Sequence, residues 1–274
     1  KVAGATMPGM PGVVLGQNEH IAWGFTNTGP DVQDMYLEKL NPADRTQVQT
    51  PTGWAPLQSV NEVIKVKGGA DVPLAVRSSR HGPVISDAGG VSGTVAGDSG
   101  YALAMRWTAL DPDVDPISVT LAMQRATSAD EFVQAASSAW VSPMQNMVVA
   151  DKRGDHGHIA MVSAGRVPLR SPDNDLKGLV PAPGWDAKYD WQGWLAHEQT
   201  PRETNPPRGW IATANQRIHA ADYPHFISSD WALPYRQQRI EQMLTAKPKH
   251  DIDDLAAMQA DVQSLATTSM LPWL

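Results

Sequence analysis

The 274-residue chain has no cysteine, and its 22 Lys and Arg against 29 Asp and Glu leave a formal net charge of −7. This excludes a disulfide scaffold, a thiolate metal site and a cysteine nucleophile, and it argues against a nucleic-acid partner, which needs clustered Lys and Arg. With 42% hydrophobic and 19% charged residues the composition is globular, and no apolar run approaches the ~20 residues of a membrane-spanning helix.

The first half reads mostly as strands. Residues 2–15 already read as buried strand and turn with no polar lead-in. Lys1–Ala5 is too short and polar for a signal peptide, and the start reads as a segment of a longer chain or one preceded by a few added residues. Pro11–Leu15, the polar turn Gln17-Asn18-Glu19 and Ile21–Thr26 form a hairpin pattern. Asp34–Leu40 alternates and stops at Asn41-Pro42. Val60–Val66 and Leu74–Ser78 alternate around Lys67-Gly68-Gly69, and Pro83–Ser86 and Tyr101–Trp107 follow. Gly89–Gly100 is rich in Gly, Ser and Asp and reads as an exposed loop.

The second half begins with a helix over Ser128–Ala139. Ser128 and Glu131 form a capping-box pattern, and Phe132, Ala135, Ala136 and Ala139 share a face. Met147–Ala150 and Ile159–Ala164 flank a turn as a hairpin. Residues 165–209 carry Pro, Gly and Trp without periodicity and read as a long loop. Trp210–Ala214 reads as a buried strand, Tyr235–Leu244 as a helix, and Asp251–Ala266 as a last helix lined by Leu255, Met258, Val262 and Leu265. No repeat or linker divides the chain, so residues 1–274 read as a single partial domain of the α+β class.

Standard catalytic signatures are absent: no G-x-S-x-G, S-x-x-K, H-E-x-x-H or P-loop occurs. His156 and His158, two apart, have the spacing of a strand-borne metal pair and would suit a metal-dependent hydrolase; the turn of a hairpin is the plainer reading. His81, before Gly82-Pro83, reads as a structural histidine, and Trp185, Trp191 and Trp194 as anchors of their loop. Asp31-x-x-Asp34 follows Gly29-Pro30 on a bend, where carboxylates and carbonyls together suit a hard cation or simply cap a turn. Asn215 ends an apolar run with an amide, whose N–H suits an oxyanion as well as a turn.

Taken together and in order, these segments resemble the penicillin acylase (penicillin amidase) family of N-terminal-nucleophile hydrolases. The stretches that carry the resemblance are Pro8-Gly9-Met10-Pro11-Gly12 through Asn18, Ile21-Ala22-Trp23-Gly24-Phe25-Thr26-Asn27, Asp31-Val32-Gln33-Asp34-Met35-Tyr36, Ser79-Arg80-His81-Gly82-Pro83-Val84 and Gly165–Arg170. Trp191-Gln192-Gly193, Asn205-Pro206, Thr213-Ala214-Asn215-Gln216, Tyr235-Arg236-Gln237-Gln238-Arg239-Ile240 and Gln259-x-Asp261 complete it.

The resemblance implies an αββα four-layer sandwich and a precursor cleaved into α- and β-chains. This chain corresponds to part of the β-chain, with the α-chain as partner. The nucleophile is the serine freed as the first residue of the β-chain. Its α-amino group, with a reference pKa near ~7.7–8.0, serves as base. By position, the oxyanion donors are the Asn215 amide and the Asn27 backbone N–H. Arg236 orients the Asn215 amide, and Leu15 lines the acyl pocket. Asp31, Asp34 and the Gln33 carbonyl are structural calcium ligands; no organic cofactor is implied. The substrate is a small acyl amide, such as a β-lactam side chain or an acyl-homoserine lactone, and the location is the periplasm or outside the cell.

Two departures stand out. The family's nucleophilic serine precedes the Pro-Gly-x-Pro-Gly segment, whereas the first serine here is Ser59, so the segment alone is expected to be inactive. A further calcium carboxylate expected after Tyr223-Pro224 has no match, with Ile227 near its place. The alternative from another class is a non-catalytic module of the same fold.

Overall fold

The computed structural model describes residues 1–90, 93, 99–113 and 115–273. The expected loop at Gly89–Gly100 therefore lies partly outside the described residues. Helices and mixed sheets together make an α+β fold. The chain forms two compact units. One comprises Lys1–Pro30, Val114–Arg166 and Ala196–Leu274, the other Asp31–Asp113 and Val167–Leu195.

The first unit is built on a six-stranded antiparallel sheet, in the order Ala3–Ala5, Leu15–Gln17, Ile21–Asn27, Gln145–Asp151, His158–Ala164 and Arg202–Thr204. Residues 2–9, expected to be buried, are exposed. The second sequence hairpin is present as read; in the first, the strand before the turn is Leu15–Gln17 rather than Pro11–Leu15, and Gln17, read as part of the turn, pairs with Ala22. Asn18 shapes the first turn: its Oδ1 accepts from the N–H groups of His20 and Ile21. Alternation along the strands sorts the side chains onto two faces. On one face Ile21, Trp23, Met147, Val149, Ala160 and Val162 meet Val119, Met123, Phe132 and Ala136 of two helices. On the other, Thr26, Asn146 and Ser163 stand side by side across three strands.

The two covering helices are Pro116–Arg125 and Ala129–Ala139. The first was not anticipated, although its start is written as Asp-Pro: Asp115 caps it by accepting from the Ser118 N–H, and Pro116 occupies the first turn. In the second, Ser128 accepts from the Glu131 N–H, but Glu131 reaches back to Thr127 rather than Ser128.

Three further expectations need correction in this unit. Trp210–Ala214 enters no ladder. The segment is held by side chains: Gln237 Nε2 donates to the Ala212 carbonyl at 3.2 Å and Gln216 Oε1 accepts from the Ala214 N–H at 2.8 Å. The last helix is two, Ile252–Gln259 and Leu265–Met270. Asp261 interrupts it by pairing with Arg239, and Ser264 caps the second piece. Val262, expected inside, is 96% exposed in that break.

In the second unit Gln33–Lys39 lies between Tyr101–Trp107, antiparallel, and Ala182–Pro183, parallel. Gln58–Ile64 and Val72–Ser79 form the expected hairpin, extended by Gly82–Pro83, but every residue of Gln58–Ile64 is exposed. The strand expected at Pro83–Ser86 gives way to a short 3₁₀ turn, Ile85–Ala88. Residues 165–209 are not one irregular loop, because Pro168–Arg170 pairs with Trp191–Trp194.

Candidate active site

The end of the Ile21–Asn27 strand has a defined hydrogen-bonding side. Thr28 N–H donates to the Met144 carbonyl at 3.2 Å, continuing the ladder toward Gln145–Asp151. In an antiparallel ladder successive residues turn their N–H and C=O to opposite edges. Asn27 therefore presents both its backbone N–H and its C=O on the edge away from Gln145–Asp151. Asn215 arrives there: its Nδ2 donates to the Asn27 carbonyl at 2.7 Å.

The Asn215 amide is fixed from its other end. Arg236, in the first turn of helix Tyr235–Thr245, donates from a guanidinium nitrogen to Asn215 Oδ1 at 3.0 Å. A donor behind Oδ1 and an acceptor before Nδ2 define the amide orientation, since a flip would set like against like. The backbone of Asn215 is left-handed, with φ of 65°, a conformation asparagine tolerates better than most residues. Its carbonyl accepts from the Ala232 N–H at 3.1 Å, which ties the segment down on its far side. Nδ2 has two hydrogens and the Asn27 carbonyl takes one. The other, with the Asn27 N–H on the same strand edge, is available to a developing negative charge.

Beside this constellation is an apolar recess of about 660 Å³, lined by Thr26, Thr213, Leu233, Arg236, Met258 and Leu265 among others. Leu15 lies on the neighbouring strand, whose Gly16 is paired with Trp23. It is 39% exposed, an accessible apolar side chain rather than a core one.

Asp31, Gln33 and Asp34 belong to the second unit. The Gln33–Lys39 strand turns Asp34, Tyr36 and Glu38 inward, and all three are buried. Each has a polar partner. Arg170 meets Asp34 through two nitrogens, at 2.5 and 3.0 Å, and its guanidinium also donates to the Asp31 carbonyl oxygen at 3.0 Å. Trp191 Nε1 adds a third bond to Asp34 at 2.8 Å, so this tryptophan does anchor its segment. Asp31 Oδ2 is buried without a hydrogen-bond partner. Burial pushes the Asp31 carboxyl up to about 6, against the pull of Arg170 and with help from the Asp34 charge. Gln33 has an exposed side chain, whose amide donates to the Met105 sulfur.

These donors do not fit a calcium ion as they stand. Calcium takes about six to eight oxygens, and both Asp34 oxygens already accept from Arg170 and Trp191. Among the described residues no group of three Cys, His, Asp or Glu side chains is gathered to hold a metal. That includes His156, exposed in its turn, and His158, whose Nδ1 lies 3.0 Å from Asn205 Nδ2.

His81 is buried between Glu38, 2.7 Å from Nδ1, and Asp190, 3.0 Å from Nε2, and stacks on Tyr36 with ring centres 3.7 Å apart. Burial pushes the Asp190 carboxyl up, but hydrogen bonds from His81 and Arg80 outweigh it and hold it below its ordinary value. Glu38 and Asp190 were not anticipated; the only signal was a glutamate at an inward position of an alternating strand.

The penicillin amidase family model matches residues 1–274. The chain belongs to the penicillin amidase family. It is 33% identical over 270 residues to the acyl-homoserine lactone acylase QuiP of Pseudomonas aeruginosa, covering 97% of this chain and 31% of that protein. It is 34% identical over 264 residues to the penicillin acylase 2 proenzyme of a Pseudomonas species, covering 95% and 32%. Among solved structures, a thermostable penicillin G acylase from Alcaligenes faecalis superimposes with a TM-score of 0.78 at 29% identity, covering 94% of this chain and 44% of that one. This penicillin amidase segment thus spans about a third of the length of these curated relatives.

Proposed function

We propose that this chain supplies the oxyanion-binding part of an acylase that hydrolyses an amide between a hydrophobic acyl group and an amine. The observation that carries this reading is the convergence of Asn215 Nδ2 and the Asn27 backbone N–H on one strand edge, with Arg236 fixing the amide. Attack on an amide carbonyl places negative charge on its oxygen, and donors fixed in advance lower the barrier because nothing need reorganise when the charge appears. The nucleophile in this reading is a serine at the N-terminus of the processed β-chain, outside this sequence. Its own amine removes the hydroxyl proton and later returns it to the departing amine.

The apolar recess beside Arg236 and the exposed Leu15 support a hydrophobic acyl group. The names of the relatives, acyl-homoserine lactone acylase and penicillin acylase, support a homoserine lactone or a β-lactam nucleus as the amine side. The same reading makes the active protein an exported α/β-chain heterodimer with the four-layer αββα sandwich; a relative named a proenzyme supports processing. This reading does not call on calcium, since both Asp34 oxygens already accept from Arg170 and Trp191.

The test is Asn215→Gly in the full-length protein, assayed on a chromogenic phenylacetyl or fatty-acyl anilide. Glycine keeps the left-handed backbone and removes the side-chain amide, both the Nδ2 donor and the oxygen that Arg236 holds. The expected loss in kcat is about 10²–10³-fold. Unchanged hydrolysis with normal folding overturns the reading.

A further inference from the structure

The strand that pairs with Ile21–Asn27 contains a buried amide that the chemistry above does not use. Asn146 is fully buried, opposite Thr26 on one neighbouring strand and Ser163 on the other. Its Oδ1 accepts from Thr28 Oγ1 at 2.9 Å and from Ser163 Oγ at 2.7 Å. With Oδ1 on the Thr28 and Ser163 side, Nδ2 is the end that faces Thr26 Oγ1, at 3.4 Å. Thr26 Oγ1 in turn donates to Thr213 Oγ1 at 2.8 Å.

These contacts form a chain with one hydrogen-bond direction. Ser163 and Thr28 donate to Asn146, Asn146 donates to Thr26, and Thr26 donates to Thr213. A hydroxyl has a single hydrogen, and Asn146 presents Thr26 with a donor rather than an acceptor, which leaves the Thr26 hydrogen for Thr213. The two ends of the chain matter: Thr26 adjoins Asn27, and Thr213 lies two residues before Asn215. The 210–214 segment has no ladder, so its distance from the strand is set by side-chain bonds such as this one.

We propose that Asn146, acting through Thr26 and Thr213, is a positioning residue for the Asn27–Asn215 pair. It sets the spacing between the strand edge and the incoming segment, and so the separation of the two oxyanion donors. This rests on the reading of Asn215 and Asn27 given above. Polar networks of this kind are strong when every member is satisfied and fail together when one is removed.

The test uses the full-length protein, a chromogenic anilide hydrolysed by the wild type, and kcat and KM measured separately. Asn146→Leu orphans two buried hydroxyls and is liable to misfold, so the informative variants are at the link itself. Thr26→Val keeps the shape and removes the hydroxyl; kcat is expected to fall about tenfold, with KM within about twofold. Thr26→Ser restores the hydroxyl and should recover most of the lost rate, which a purely packing role would not predict. Thr26→Val combined with Asn215→Gly should be no slower than Asn215→Gly alone, because the link works through Asn215. Unchanged kcat in Thr26→Val, no recovery in Thr26→Ser, or multiplicative losses in the double variant would each overturn the proposal. If Asn215→Gly itself leaves kcat unchanged, the oxyanion reading fails instead, and the two failures are told apart.

Discussion

Arg236 and Asn215 meet head-on, with a guanidinium nitrogen 3.0 Å from the amide oxygen. The contact lies at the surface, so it contributes little to overall stability. Its consequence is orientation: without Arg236 the amide can rotate and offer its oxygen where a donor is needed. Arg236→Leu should lower kcat about tenfold, or about 1.4 kcal/mol in barrier, while the melting temperature stays within a few degrees. Arg236→Lys, a single donor on a flexible stem, should fall between. Parallel kinetics and thermal melts check both.

Asp31 predicts an unusual pH response. Its folded pKa is raised, from 3.8 to about 6, chiefly by burial. Between these values the folded state holds a proton that the unfolded state has lost, so this group favours folding at low pH and that contribution falls away as pH rises through 6. Asp31→Asn removes the titration. The melting temperature of the variant minus that of the wild type should rise between pH 4 and pH 7 and then level off. A difference independent of pH would show that Asp31 titrates normally.

Arg170 is 6% and Asp34 4% exposed at the side chain, joined by two hydrogen bonds. Removing one member of such a pair leaves a buried charge without compensation, at a cost of about 3–5 kcal/mol. Arg170→Met should destabilise the chain by that order in denaturant titration. Because both Asp34 oxygens already accept hydrogen bonds from Arg170 and Trp191, added calcium is expected to leave the wild-type melting temperature unchanged.

Glu38 depends on the absence of a side chain at Gly184. A Cβ there would lie 2.3 Å from Glu38 Oε2, 2.8 Å from Glu38 Cδ and 3.1 Å from the Leu37 carbonyl oxygen. Glu38 is held by His81 and has little room to retreat. Gly184→Ala should therefore cost about 1–3 kcal/mol through overpacking. His81→Leu should cost more, since it removes the hydrogen-bond partner of a Glu38 side chain that is 1% exposed. Chemical denaturation of both variants checks the ranking.

The sequence is most legible where periodicity and caps agree. The Gln145–Asp151 and His158–Ala164 hairpin and the helix after Ser128 follow from alternation and from one capping residue. The helix beginning at Pro116 was missed because its apolar face is broken by Thr120 and Gln124, both buried and both hydrogen-bonded. Apolar patterning also misread Val262, because it does not register that Arg239 pairs with Asp261 and breaks the helix. In the site, Asn215 stood out as an amide ending an apolar run, yet its pairing with Asn27 is 188 residues distant. No local rule spans that gap; only the ordered family motifs joined the two. Asn146 was not singled out in the sequence; it takes meaning only once both neighbouring strands show hydroxyls at its register.

That separation also governs when the site can form. Asn27 gains its ladder partner only when Gln145 is in place, and meets Asn215 later still. At synthesis rates of about 5–20 residues per second, about 10–40 s pass between the two asparagines. During the first part of that interval, until Gln145–Asp151 has been made, the Ile21–Asn27 strand has an unpaired edge along one side. Growing chains are therefore vulnerable to strand-to-strand association, and slower translation before residue 145 should lower the yield of folded protein.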